Sequence, residues 1–185
     1  MHRRGFAAAL AVSFGIIGAT NAATPPAAAT TATSPTAAAK PAGPSDKAQI
    51  EALERGYGAG FNAKNVDKIM SYYARDGLFV FDATPPREHV GWADYKKDWQ
   101  DLFADFPGPL TVAISEQSIT VVGSVAYGHN IQDTHFTAAD GSKPEFVVRC
   151  TDVYRKIGGR WQIVQEHVSF PVDLATSKPD LLSKP

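Results

Sequence analysis

The chain has 185 residues, with 18 lysines and arginines against 19 aspartates and glutamates and a net charge of -1. Its basic residues are scattered, which argues against nucleic acid or an anionic membrane surface as a main partner, and no G-x-G-x-x-G or G-x-x-x-x-G-K-[ST] run is present to cradle a nucleotide phosphate. Cys150 is the single cysteine, so an exported form has no internal disulfide and depends on a packed core.

Residues 1–22, MHRRGFAAALAVSFGIIGATNA, combine a basic start, an apolar run and small residues at Thr20 and Ala22. This pattern predicts a cleavable signal peptide and a periplasmic or secreted protein. The run holds Ser13 and Gly15 and is shorter than the roughly 20 apolar residues of a membrane span, so no anchor is expected after cleavage. Residues 23–45 are almost entirely Ala, Thr and Pro and read as a disordered linker, because they offer little apolar surface to offset the entropy of ordering. A single domain is expected over 46–173, followed by a C-terminal tail at 174–185.

Within the domain, Ile50, Leu53, Tyr57 and Phe61 fall at helical spacing behind Ser45 as N-cap. A second helix is expected after Asn65, with Val66, Ile69, Met70 and Tyr73 on one face and a stop at Gly77. Leu78–Asp82 reads as a short strand ended by Pro85 and Pro86. A third helix is expected over 92–106, with Trp92, Tyr95, Trp99, Leu102 and Phe106 on its apolar face and Asp94, Lys97, Asp98 and Asp101 off it. Three long strands follow, at 110–122, 125–137 and from Glu145 onward, and the last enters a hairpin that turns at Gly158-Gly159. Helices gathered early and strands late predict an α+β fold. Its curved antiparallel sheet forms a cone around three N-terminal helices and encloses a cavity.

The two-residue turn fixes a register for the hairpin. An uninterrupted ladder opposes Tyr154 to Ile163, Asp152 to Gln165 and Cys150 to His167. The aromatic face, with Tyr154, Trp161 and Ile163, is taken as inward. Asp152, Gln165 and His167 then point into the cone, and Val153, Val164, Val168 and Glu166 point out. Inward polar groups of this kind are costly unless paired, hydrated or used.

The segments YGAGFNAKNVDKIMSYYARDGLFVFD and TDVYRKIGGRWQIVQEHVSFP, together with Gly91 before the third helix, give a chain that resembles the nuclear transport factor 2-like superfamily. The resemblance is to its SnoaL-like and ketosteroid isomerase-like members, and spans nearly all of 46–173. It implies a cone fold, and on the isomerase pattern it lays an oxyanion donor on Tyr57, a general base on Asp82 and a second, protonated donor on Asp152. The dehydratase branch instead implies a His and Asp pair with tyrosine donors, which here falls on His167 and Asp152. The candidate catalytic residues are therefore Tyr57, Asp82, Asp152 and His167. Trp92, Trp99, Tyr127 and Gln165 are the candidate ligand contacts.

Each of these has a simpler structural reading: Tyr57 as core aromatic, Asp82 as turn residue, Asp152 with His167 as a buried pair fixing strand register. His129, Asp133 and His135 share one strand face, but residues four apart on a strand are about 13 Å apart. Two ligands are too few, so no metal and no cofactor are expected. Cys150 reads as a small buried hydrophobe. Two functions stay open at this point. One is a cofactor-independent isomerase or lyase acting on a small carbonyl-containing molecule. The other is a non-catalytic ligand-binding or protein-interaction domain. The half-apolar outer sheet face suits a homodimer.

Overall fold

The structure, a computed structural model, describes residues 43–183. The signal segment at 1–22 and most of the linker lie outside the described residues. Helix α1 (Asp46–Asn62) starts where Ser45 Oγ accepts from the Ala48 amide at 3.2 Å, and α2 (Val66–Met70) starts where Asn65 Oδ1 accepts from Lys68 at 2.9 Å. Strands β1 (Phe79–Phe81) and β2 (His89–Val90) lead into α3 (Trp92–Asp105), which opens at Gly91 with φ of 94°. Strands β3 (Thr111–Val122), β4 (Val125–His135), β5 (Glu145–Ile157) and β6 (Arg160–Ser169) make the meander. Two short strands, β7 (Val172–Asp173) and β8 (Lys178–Pro179), form a separate hairpin where a bare tail was expected.

The sheet order is β2-β1-β6-β5-β4-β3. The expected antiparallel meander forms, but β1 pairs with β6 in parallel, so the sheet is curved and mixed rather than wholly antiparallel. The second helix is shorter than its periodicity implies. It stops at Met70, and Tyr73 leaves it to bridge Ile163, with the Ile163 amide donating to Tyr72 O at 2.9 Å and Ala74 donating to Ile163 O at 2.8 Å. The backbone pairing with β6 takes the groups a longer helix would have used.

Gly158 and Gly159 both have positive φ, 56° and 80°, as the tight hairpin turn requires. From there the ladder runs as expected through Tyr154–Ile163, then slips: Val153 opposes Gln165, Asp152 opposes Glu166, and Thr151 opposes His167. Val164 is the extra residue of a β-bulge, and every β6 side chain beyond it changes face. The bulge sits where β6 exchanges its outer neighbour, from the Tyr73 bridge to β1 at Phe79. Glu166 is consequently buried, while Gln165 and His167 are exposed, reversing the expected facing of all three.

Candidate functional site

Between the sheet and helices α1 and α3 lies a cavity of about 480 Å³, within the range of small-molecule sites. Tyr57 and Phe61 of α1, Trp99 and Leu102 of α3, and Phe136, Phe146 and Phe170 from the sheet end of the chain make it largely aromatic. Trp99 packs edge-on against Tyr57 and Phe61, with centroids 6.0 and 5.4 Å away. Its indole N–H is buried without a hydrogen-bond partner.

Carboxylates are concentrated on one side of this cavity. Asp82, Asp98, Asp101 and Asp105 all line it. Asp82 follows β1, where alternation buries Val80 and turns Phe81 outward, so Asp82 faces in. Its Oδ1 accepts from the amides of Ala83 and Thr84, so the turn role and the cavity position coincide. Burial raises the pKa of Asp82 despite those amides, and burial followed by the charge of Asp82 raises that of Asp98. Asp98 and Asp101 were expected off the apolar face of α3. Asp98 is three residues after Tyr95 and four before Leu102, a helical spacing that places it on the cavity side.

His89 of β2 is buried beside these groups, and donor atoms of Asp82, His89 and Asp98 lie within 4.8 Å of one another. Asp94 Oδ2 stands 3.2 Å from His89 Nδ1 and also accepts from the Val90 amide at 3.2 Å. Nothing in the sequence flagged His89, because a two-residue strand is too short to show a period.

Behind the cavity is a second acidic group. Glu166 accepts from Tyr73 Oη at 2.7 Å and from Tyr95 Oη at 2.6 Å. Asp152, 1% exposed, accepts on Oδ2 from Cys150 Sγ at 3.5 Å, and Tyr154 donates to Glu54 Oε1 at 2.8 Å with its Oη 3.3 Å from Asp152 Oδ2. Burial, then the charges of Glu166 and Glu54, push Asp152 well above the usual carboxylate range. Burial raises Glu166 and carries Glu54 up to about 7. Burial, then the neighbouring carboxylates, also raises Tyr57 and Cys150, so Tyr57 keeps its proton as a donor and Cys150 stays a thiol.

The structure thus brings Tyr57, Asp82 and Trp99 to the cavity and sets Asp152 behind it. His167 is on the outer face, its ring 5.5 Å from Phe81, so the expected Asp152 and His167 pair does not form, and Glu166 occupies the facing position. Gln165 is turned outward by the same bulge. Tyr127 is 54% exposed on the outer face of β4. Trp92 is away from the cavity, donating to Met70 O at 2.9 Å beneath the Arg75 guanidinium. Glu54 was missed although it lies on the buried stripe, four residues after Ile50 and three before Tyr57.

The sequence profile of the SnoaL-like domain matches residues 50–173. Among solved structures, an NTF2-like protein of unknown function from Pseudomonas putida KT2440 is 26% identical, with 77% of this chain and 100% of that one covered and a TM-score of 0.68. A ketosteroid isomerase-like protein from Erwinia carotovora atroseptica is 20% identical over 66% of this chain and 93% of that one, with a TM-score of 0.57. A protein from Novosphingobium aromaticivorans named for scytalone dehydratase is 14% identical over 75% and 95%, with a TM-score of 0.61. The last two likenesses are of fold alone. No curated protein matches the chain.

Proposed function

The chain belongs to the SnoaL-like family, and from that premise we propose that it binds a small carbonyl-containing organic molecule and catalyses proton transfer on it, as an isomerase or dehydratase without a cofactor. The observation that carries this reading is Asp82: a carboxylate on the wall of an aromatic cavity, one oxygen fixed by backbone amides and Oδ2 outside those bonds. A base so oriented can take the proton next to a carbonyl, and a donor on the same wall can hold the enolate oxygen that forms. Tyr57 is that donor, with the partnerless indole N–H of Trp99 beside it. Returning the proton to the far carbon of the conjugated system completes an isomerisation. Departure of a β-hydroxyl as water, carrying that proton, completes a dehydration. Asp152 and Glu166 support the cavity from behind. The residues at 1–22 send the chain out of the cytoplasm, and the outer sheet face, exposing Val122, Val125 and Tyr127, meets a second copy.

A β,γ-unsaturated ketone offered to the purified protein tests the reading, with the conjugated product followed by ultraviolet absorbance. Asp82→Asn is expected to slow turnover roughly 10²–10⁴-fold with an unchanged circular dichroism melt. Full turnover by Asp82→Asn would remove the base. A molecule retained through native mass spectrometry and released unaltered, with no turnover, would assign a carrier in place of an enzyme.

A further inference from the structure

We propose that Asp82, His89 and Asp98 form a site for one divalent transition-metal ion at the wall of the cavity. The topology assembles it from three elements. Val80 pairs with His89 across the β1–β2 hairpin, and Asp82, two residues beyond Val80, shares that face. Helix α3 begins directly after β2 and carries Asp94 and Asp98, four residues apart, over the same face.

The orientation of His89 is the decisive observation. Its Nδ1 faces Asp94 Oδ2 at 3.2 Å, and Asp94 is itself fixed by the Val90 amide. A carboxylate on Nδ1 holds the proton there and leaves the Nε2 lone pair as the free donor, which is how metal-binding histidines are oriented. That Nε2, on a residue only 4% exposed, has no hydrogen-bond partner and points at Asp98 Oδ1 from 3.6 Å. The separation is too long for a hydrogen bond. It is close to the roughly 3.4 Å between two donor atoms that share a tetrahedral ion at about 2.1 Å each. Asp82 supplies the third donor within the same 4.8 Å group.

The surroundings favour a cation. Asp101 and Asp105 line the same cavity, and among the described residues no lysine or arginine does, so the cavity concentrates positive ions. One imidazole and two carboxylates with an open side toward the cavity suit zinc, manganese or ferrous iron better than the all-oxygen preferences of magnesium and calcium. An ion here makes Asp82 a ligand instead of a base, so occupancy and the proton transfer proposed above exclude each other. The ion would regulate that site, and the inference rests on that reading only for this consequence.

Calorimetry tests binding without substrate, so its outcome is separate from any assay of turnover. Zinc chloride is titrated into the chelator-treated, tag-free full chain. One site is expected, lost in His89→Gln and in Asp98→Asn, and weakened roughly 10- to 100-fold in Asp94→Asn. His135→Gln is expected to leave it intact, since His135 faces Asp133 and Glu145 on the outer surface. Asp98 is partly exposed, so Asp98→Asn, checked by its circular dichroism spectrum, decides the matter if His89→Gln does not fold. Absence of zinc binding, binding that survives in folded Asp98→Asn, loss in His135→Gln, or equal affinity for magnesium each overturns the proposal.

Discussion

Glu166 is a fully buried carboxylate whose two oxygens each receive a tyrosine hydroxyl, from Tyr73 and Tyr95. A buried acceptor left short of its donor recovers nothing from water, so loss of one such bond costs its full desolvation. Tyr95→Phe keeps the ring against Trp99 and His89 and deletes one donor. A loss of about 1.5–3 kcal/mol is expected, measured by urea unfolding at neutral pH, with Tyr73→Phe giving a loss of the same order. Cys150 gives a second test at this scale. It is 1% exposed and its thiol is held protonated by burial and by Asp152. A thiol reagent is expected to leave it unmodified in the native protein and to modify it fully in denaturant. The residue types of the site were legible where an element boundary fixed their facing, as for Tyr57 on the α1 stripe, whereas the facing of Asp82 follows only from where β1 begins, at Phe79. They were illegible where the facing depended on a partner: Asp152 could be placed inward, but which side chain stood opposite could not be read from alternation.

Strand β6 shows why. Regular alternation from Gly159 sends His167 inward and Val168 outward, and the bulge at Val164 inverts both. The sequence holds a trace of this. Ile163 and Val168 are five residues apart, so an uninterrupted strand cannot bury both, while one extra residue between them can. The adjacent apolar pair Ile163-Val164 marks where alternation breaks. Deleting Val164 is expected to close the bulge and leave the pairings beyond it unchanged, Val153 with Gln165 and Asp152 with Glu166, so Glu166 stays inward. The deletion variant is therefore expected to keep a cooperative thermal melt by circular dichroism. A register shift that turned Glu166 outward would instead remove one partner from a buried network, at a cost of about 3–5 kcal/mol, and abolish that transition. The α1 and α3 stripes, by contrast, were readable because their partners lie along their whole length, and β2 was not because its two residues gain their strand character from pairing with β1.

For the molecule as a whole, the fold places three carboxyl groups, Glu54 from α1, Asp152 from β5 and Glu166 from β6, around Tyr57, Tyr154 and Cys150, and among the described residues no lysine, arginine or histidine is a hydrogen-bond partner of the three. All three have pKa values above those of an unfolded chain, with burial the largest cause in each. The folded state therefore binds more protons than the unfolded state, and stability falls as pH rises. For Glu54 the window is defined: its contribution is fully present below the unfolded value of 4.5 and lost as pH passes about 7. That interval corresponds to a contribution on the order of 3 kcal/mol, or roughly 10 °C in melting temperature for a domain of this size. Melting temperature is expected to be higher at pH 5 than at pH 8. In Glu54→Gln, whose amide still accepts from Tyr154, the slope is expected to flatten and the pH 8 melting temperature to rise above wild type. A wild-type melting temperature that is the same at pH 5 and pH 8 would mean that the buried carboxyls ionise at their ordinary values, which the absence of a basic partner around them argues against. Protonation of this group leaves the cavity wall in place, since Tyr57 is neutral on both sides of the window and Phe61 and Trp99 do not titrate.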